Sequence, residues 1–322
     1  MDLNVTMNLE VERTDRTFWV YMAELSYVFP TLVFMLSLFI RFGMMKKYGN
    51  PFYKLIQVDL LCNMLCHINS WFSVRFESCS TFIPILKTIE SVVPGFLDVS
   101  TVLGYWFFHL QFQTAVTLCL HRLLSVSDPM KFMKLNAFLQ KHSYWYIGYA
   151  FTVMAISSAL TFIFAFPPGY QMFISEDTLF GVIHMENMVW STKSVGWFSV
   201  FFFFILVGVR VYLSRIINKP NQNVSARHNQ VWMKLTTISV RYCYVYIGIL
   251  GWSILTLVNT AFHAIDIPWD ISKLLLSISS DMMTLSLPYI LLVYDSNVKK
   301  DLLGKFQKTN VILVTSIKTT AC

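Results

Sequence analysis

Seven runs of about 22 residues, each apolar and nearly free of charge, dominate this 322-residue chain. They fall near Phe18–Ile40, Phe52–Val74, Phe96–Leu120, Tyr144–Phe166, Ser194–Leu213, Ile238–Phe262 and Ile271–Tyr294. A bilayer core of about 30 Å is crossed by about 20 helical residues, so each run predicts a transmembrane helix. Charged residues make up only 13% of the chain, against about 25% in a soluble domain, too few to coat a globule in water. The fold class expected is therefore all-α integral membrane, a seven-helix bundle. Residues 1–17 form a polar N-terminus, 18–294 the bundle and 295–322 a tail. The first run is too long for a signal-peptide core and is not preceded by a basic segment, so it reads as an uncleaved span.

Lysine and arginine set the orientation. Sixteen lie in the N-distal loops and the tail: Arg41, Lys46 and Lys47, then Arg122, Lys131, Lys134 and Lys141, then Arg215, Lys219, Arg227 and Lys234, and Lys299, Lys300, Lys305, Lys308 and Lys318. Five lie on the other side: Arg13, Arg16, Arg75, Lys87 and Lys193. The positive-inside rule puts the N-terminus outside and the tail in the cytoplasm. The net charge of +7 is explained by this bias and needs no nucleic-acid partner. The sequon Asn4-Val5-Thr6 makes Asn4 a glycosylation candidate on the outer side; a second sequon at Asn223 lies in a basic loop and disagrees. Six cysteines show no metal-ligand spacing, so no metal is expected.

Two runs carry polar stripes. Asp59, Asn63, Cys66, His67 and Ser70 share one face of the second, and Ser277, Asp281, Thr284 and Pro288 one face of the seventh. A carboxylate facing lipid costs at least a few kcal/mol, so both stripes must face inward. Asp59, Asn63 and Asp281 then either glue helices together or form a switch or ion network. On the third run Asp98 lies near the outer end and Arg122 near the inner end. Asp98, Tyr105, Phe108 and His109, with Trp252 on the sixth run, are the candidate ligand contacts, although a core role is the plainer reading of His109. Beyond Tyr294, Ser296 or Asn297 can cap a short helix. Val298, Leu302, Leu303 and Phe306 form its apolar face, which suits a helix lying on the cytoplasmic leaflet.

Three segments carry a family likeness. They are Asn50-Pro51-Phe52-Tyr53-Lys54-Leu55 with Asp59, Asn63 and Asn69-Ser70-Trp71, and Arg75 after; Cys119-Leu120-His121-Arg122-Leu123-Leu124-Ser125-Val126 with Pro129; and Leu287-Pro288-Tyr289 through Lys299. With seven spans and an outside N-terminus, the chain resembles the G-protein-coupled receptors, and more closely the nematode serpentine receptors of class gamma, Srg-type chemoreceptors. The likeness runs from about residue 20 to about 306. It departs from rhodopsin-like receptors: His121 stands where an acid precedes the arginine, no proline follows Gly251-Trp252, and the loop after span four has no cysteine to pair with span three. The resemblance implies an external small-molecule ligand, a heterotrimeric G protein coupled through Arg122, and a plasma-membrane location, ciliary in a sensory neuron. Neither cofactor nor enzymatic activity is expected: HExxH, phosphate-loop and GxSxG patterns are missing, and Lys273 sits too near the outer edge for a retinal. A transporter or ligand-gated channel subunit is the alternative. It fits less well, because no inverted repeat is visible and a channel of the insect odorant type would start inside.

Overall fold

The computed structural model describes residues 4–12, 18–127, 129–142, 144–217, 226–262 and 269–302. Every expected run falls on a helix or a pair of helices. These are α2 (Phe18–Met44), α3 (Pro51–Ser70), α5 (Phe96–Ser127), α7 (Trp145–Ala165), α8 (Met185–Ile217), α9 (Ala226–Phe262), and α10 (Trp269–Leu285) with α11 (Leu287–Tyr294). Phe18–Met44, Trp145–Ala165 and Met185–Val209 are long and apolar enough to cross a membrane, and α10 with α11 makes a fourth, bent by 40°. In α9 the apolar stretch shortens to Tyr244–Asn259, and α3 and α5 are diluted by the polar residues they turn inward. The long helix α5 packs against α3, α7, α8 and α9.

Lipid is as apolar as leucine, so packing and internal hydrogen bonds must join these helices. Aromatic side chains supply much of the packing. Phe112 on α5 is fully buried, with ring centroids of Phe108 and Tyr246 at 5.0 Å, Phe198 at 5.8 Å and Phe202 at 5.9 Å. The opposite face of each helix carries large exposed apolar side chains such as Trp19, Phe29, Phe162, Trp197 and Phe204, as a lipid-facing surface requires.

One end of the bundle wears a small sheet that the sequence did not suggest. β1 (Asn4–Asn8), β2 (Tyr170–Ser175) and β3 (Thr178–His184) run antiparallel in the order β1-β3-β2, with Asn4 opposite His184. The β2–β3 hairpin turns at Glu176 and Asp177, both at positive φ (47° and 64°), the backbone of a primed two-residue turn. The four-residue α1 (Leu9–Glu12) and the amphipathic α4 (Ile83–Val92) join it, and Leu9, Ile83, Leu86, Leu97, Leu179 and Ile183 pack together as a second core. Glu90 of α4 accepts the backbone N–H groups of Gly95 (2.5 Å) and Leu97 (3.1 Å), placing a carboxylate at the start of α5. Gly95 makes that turn at φ +81°, which a side chain would resist.

The opposite end is closed by contacts between distant segments. Asn50 caps α3 by accepting Phe52 N–H at 3.0 Å, with Pro51 in the first turn. Residues 296–302 are helical, but the cap is Asp295 rather than Ser296 or Asn297. Its Oδ1 accepts Asn297 N–H (2.8 Å) and Val298 N–H (3.2 Å), and its Oδ2 accepts the Tyr53 hydroxyl at 2.7 Å. Val298 is buried and Leu302 half-buried against the main core; Leu303 and Phe306 lie outside the described residues. The helix α6 (Pro129–Lys141), in a stretch expected to be loop, adds exposed Lys131, Lys134 and Lys141 at this end.

Candidate functional site

After Ser70 the backbone of α3 widens into a π-helical turn, Trp71–Arg75. In such a turn residue i+5 comes under residue i, a geometry found often at functional sites. Arg75 is thereby drawn beneath Ser70 and into the bundle, where it is fully buried. Its Nε donates to Glu24 of α2 (2.7 Å), Nη1 to Ser70 Oγ (2.5 Å) and Nη2 to Asp281 of α10 (2.5 Å). The Trp71 ring lies 5.1 Å below the guanidinium, a cation–π distance. Three helices thus meet on one planar fork of donors.

Around this fork the remaining lone pairs are met in turn. Tyr27 donates to Asp281 Oδ2 (2.6 Å), Ser277 to Glu24 Oε1 (3.2 Å), and His67 Nδ1 stands 3.2 Å from Asp281 Oδ1. Trp71 Nε1 donates to the other imidazole nitrogen at 3.1 Å, which leaves the Nδ1 proton facing the aspartate. Glu77, also buried, pairs with Lys273 of α10.

A second polar centre lies deeper. Asp59 accepts from Thr114 (2.5 Å), Tyr242 (2.7 Å) and Asn63 (3.2 Å), and Asn63 Oδ1 accepts from Gln111 at 2.7 Å. The inward stripes foreseen on the second and seventh runs are thus buried as expected. The expected grouping of Asp59, Asn63 and Asp281 divides, however. Asp59 and Asn63 tie α3 to α5 and α9, while Asp281 serves the arginine.

Between the arginine cluster and α5 lies a cavity of about 180 Å³, walled by α3, α5, α8, α9 and α10. Of the expected ligand contacts, Tyr105, Phe108 and Trp252 line it. Two do not. Asp98 Oδ1 accepts Met172 N–H of β2 at 3.1 Å and so anchors the sheet. His109 is buried toward α7, its Nδ1 3.1 Å from Thr161 Oγ1 and its ring 4.6 Å from Phe198. One position separates Phe108 from His109, a turn of about 100° around the helix, enough to carry the imidazole off the cavity wall. Arg75, Ser70 and Ser277 belong both to the wall and to the ionic cluster.

The sequence reading missed Arg75 and Glu24 as site residues; it counted Arg75 among the loop charges. One signal was present, since Glu24 is a lone carboxylate inside an apolar run; Arg75, five residues past Ser70, falls off the regular helical stripe and joins it only through the π turn. Arg122 falls on α5 toward the end opposite the sheet, and its side chain lies outside the described residues. Asn4 is exposed on the edge strand β1, its Oδ1 3.1 Å from His184 Nδ1.

Residues 21–302 match the Srg family chemoreceptor model. The chain belongs to the Srg family of chemoreceptors. It is 33% identical over 310 residues to serpentine receptor class gamma-47 of Caenorhabditis elegans, covering 95% of this chain and 97% of that one. Serpentine receptor class gamma-53 of the same nematode is 25% identical over 280 residues, 85% of this chain and 88% of that one. The Srg match spans the whole helical bundle, from α2 to residue 302, so both polar centres and the cavity fall within the family region. Srg is a family of chemoreceptors and not an enzyme family, and the apolar helices agree with a membrane protein.

Proposed function

We propose that this chemoreceptor sits in the plasma membrane with seven crossings and its N-terminus outside, takes a small molecule into the cavity bordered by Tyr105, Phe108 and Trp252, and signals through a heterotrimeric G protein. The observation that carries this reading is the sharing of Arg75 between cavity wall and ionic cluster. A molecule seated there presses on a group that joins α2, α3 and α10. Orientation rests on the loop charges, and the bias is steeper once Arg75 is removed from the outer side by burial. Coupling rests on the family resemblance, with Arg122 near the end where Lys131, Lys134 and Lys141 are exposed. A guanidinium there offers five fixed donors to a partner's carboxylate or backbone carbonyls.

Expression in a reporter cell tests all of this. An N-terminal epitope should stain on intact cells and a C-terminal one only after permeabilisation; the reverse pattern overturns the orientation. In a screen of odorants, Trp252→Ala should abolish the second-messenger response while surface level persists. Arg122→Lys, which keeps the charge and loses the fork, should cut the response and leave the surface level intact. Full signalling by that variant would remove Arg122 from coupling.

A further inference from the structure

We propose that the cavity takes a small, uncharged and largely apolar molecule, and that Gly104 sets how long that molecule can be. This deepens the receptor reading and rests on the cavity being the ligand site.

The charged side chains of the wall, and several of its polar ones, are engaged with one another or with the backbone. Each of the three Arg75 nitrogens already donates within the cluster, to Glu24, Ser70 and Asp281. Lys273 is paired with Glu77. Asn69 donates to Ser100 O (2.9 Å) and accepts from Ser100 Oγ (3.0 Å), Ser277 turns to Glu24, and Trp252 Nε1 reaches Ser272 O at 3.3 Å. What is left to face the space is mainly carbon, from Val74, Phe108, Val195, Ile249, Leu276 and Met283. An entering carboxylate would meet a guanidinium already shared by two carboxylates, and an entering ammonium would have to compete with Arg75 for them, while desolvating either ion costs several kcal/mol. A hydroxyl or carbonyl costs only about 1–3 kcal/mol before any hydrogen bond is made. The walls therefore select against charge. With about 180 Å³ the cavity also falls below the 300–1,000 Å³ of pockets for drug-sized ligands.

Gly104 lies on α5 at the cavity wall. A Cβ built there would stand 3.7 Å from Ser73 Oγ and 3.9 Å from Asn69 Nδ2, ordinary contact distances. Packing therefore leaves room for alanine, which would favour the helix by about 1 kcal/mol over glycine. What the glycine supplies is space on the cavity side, and a methyl group would subtract from it.

The test uses the full chain in lipid nanodiscs and reads thermal unfolding in the presence of 1-alkanols and 2-alkanones of roughly four to eight carbons, beside carboxylates and primary amines of matched length, because a ligand that binds the folded state raises the midpoint. The neutral series should raise it and the charged series should not. Gly104→Ala should lower the affinity of the longest bound alkanol by about tenfold, the value of one misplaced methylene, and shift the preference to shorter members. Gly208→Ala, on α8 with nothing within 4 Å of the added carbon, should leave the series unchanged. A larger shift with a carboxylate or amine, no shift with any neutral member, or undiminished long-chain binding by Gly104→Ala overturns the proposal. Neutral-series binding in nanodiscs without any cellular response supports the ligand class and counts against the receptor reading alone.

Discussion

Arg75 shows what a single side chain must satisfy when it is buried in a bundle. Removing one member of a buried ion cluster leaves uncompensated charge and costs about 3–5 kcal/mol, whereas replacing the whole set with neutral groups is often harmless. Arg75→Gln leaves Glu24 and Asp281 without their shared cation, so its surface level should collapse. The triple variant Arg75→Met, Glu24→Gln, Asp281→Asn should restore that level, as measured by flow cytometry on tagged cells, but respond weakly to any agonist. Asp59 differs, because its three partners are neutral donors. Asp59→Asn should reach the surface and change the response; retention in the endoplasmic reticulum would mark the residue as a structural tie only. The sequence revealed that both aspartates face inward, since period and cost of burial suffice for that. It hid which partners they take, because Arg75 reaches its place through a π turn that helical periodicity does not encode.

At the level of elements, the contact between the start of α3 and residues 295–302 joins segments that are far apart in the chain. Tyr53 holds Asp295, and Tyr48 donates to Asp301 at 2.7 Å beside the Lys47 ion pair. Partial burial pushes the pKa of Asp301 up, but the Lys47 and Tyr48 hydrogen bonds outweigh it and hold the carboxyl below its usual range. Because the docked carboxyl is the stronger acid, it adds stability above the ordinary aspartate value of about 3.9, and that stability is lost as pH falls through the lowered value. Docking of residues 296–302 should therefore be unchanged across neutral pH and loosen only in strong acid. Asp295→Ala, which removes a cap worth about 1 kcal/mol, should loosen it at neutral pH; hydrogen exchange of Asn297 and Val298 reports both. Here the sequence was nearly legible. The helix was expected, and the cap was misplaced by one or two residues, because Asp295, Ser296 and Asn297 are all good cap formers and the Tyr53 contact that also holds Asp295 comes from far along the chain.

Over the whole molecule, seven apolar runs were readable because lipid demands long uninterrupted helices. The sheet was not. Its hairpin turns at Glu176-Asp177 instead of the Asn-Gly or Asp-Gly that signals such a turn, and β1 is a five-residue strand whose partner lies in a different part of the chain. Of the five candidate positions, Tyr105, Phe108 and Trp252 line the cavity, whereas Asp98 is held by the sheet and His109 is turned about 100° from Phe108 toward α7. If the sheet faces outward, Asn4 is an exposed acceptor on an edge strand, and the glycosidase PNGase F should sharpen and lower the band of the parent chain but not of Asn4→Gln or Thr6→Ala. An identical band in all three would remove the glycan.

The pairing of β1 with β3 also has a consequence for biosynthesis. Four of the expected spans separate Asn4 from its partner His184, so the strand is made well before the residues it pairs with. Throughout that interval β1 has backbone donors and acceptors with no ladder to join, so completion of the sheet is a late event in synthesis.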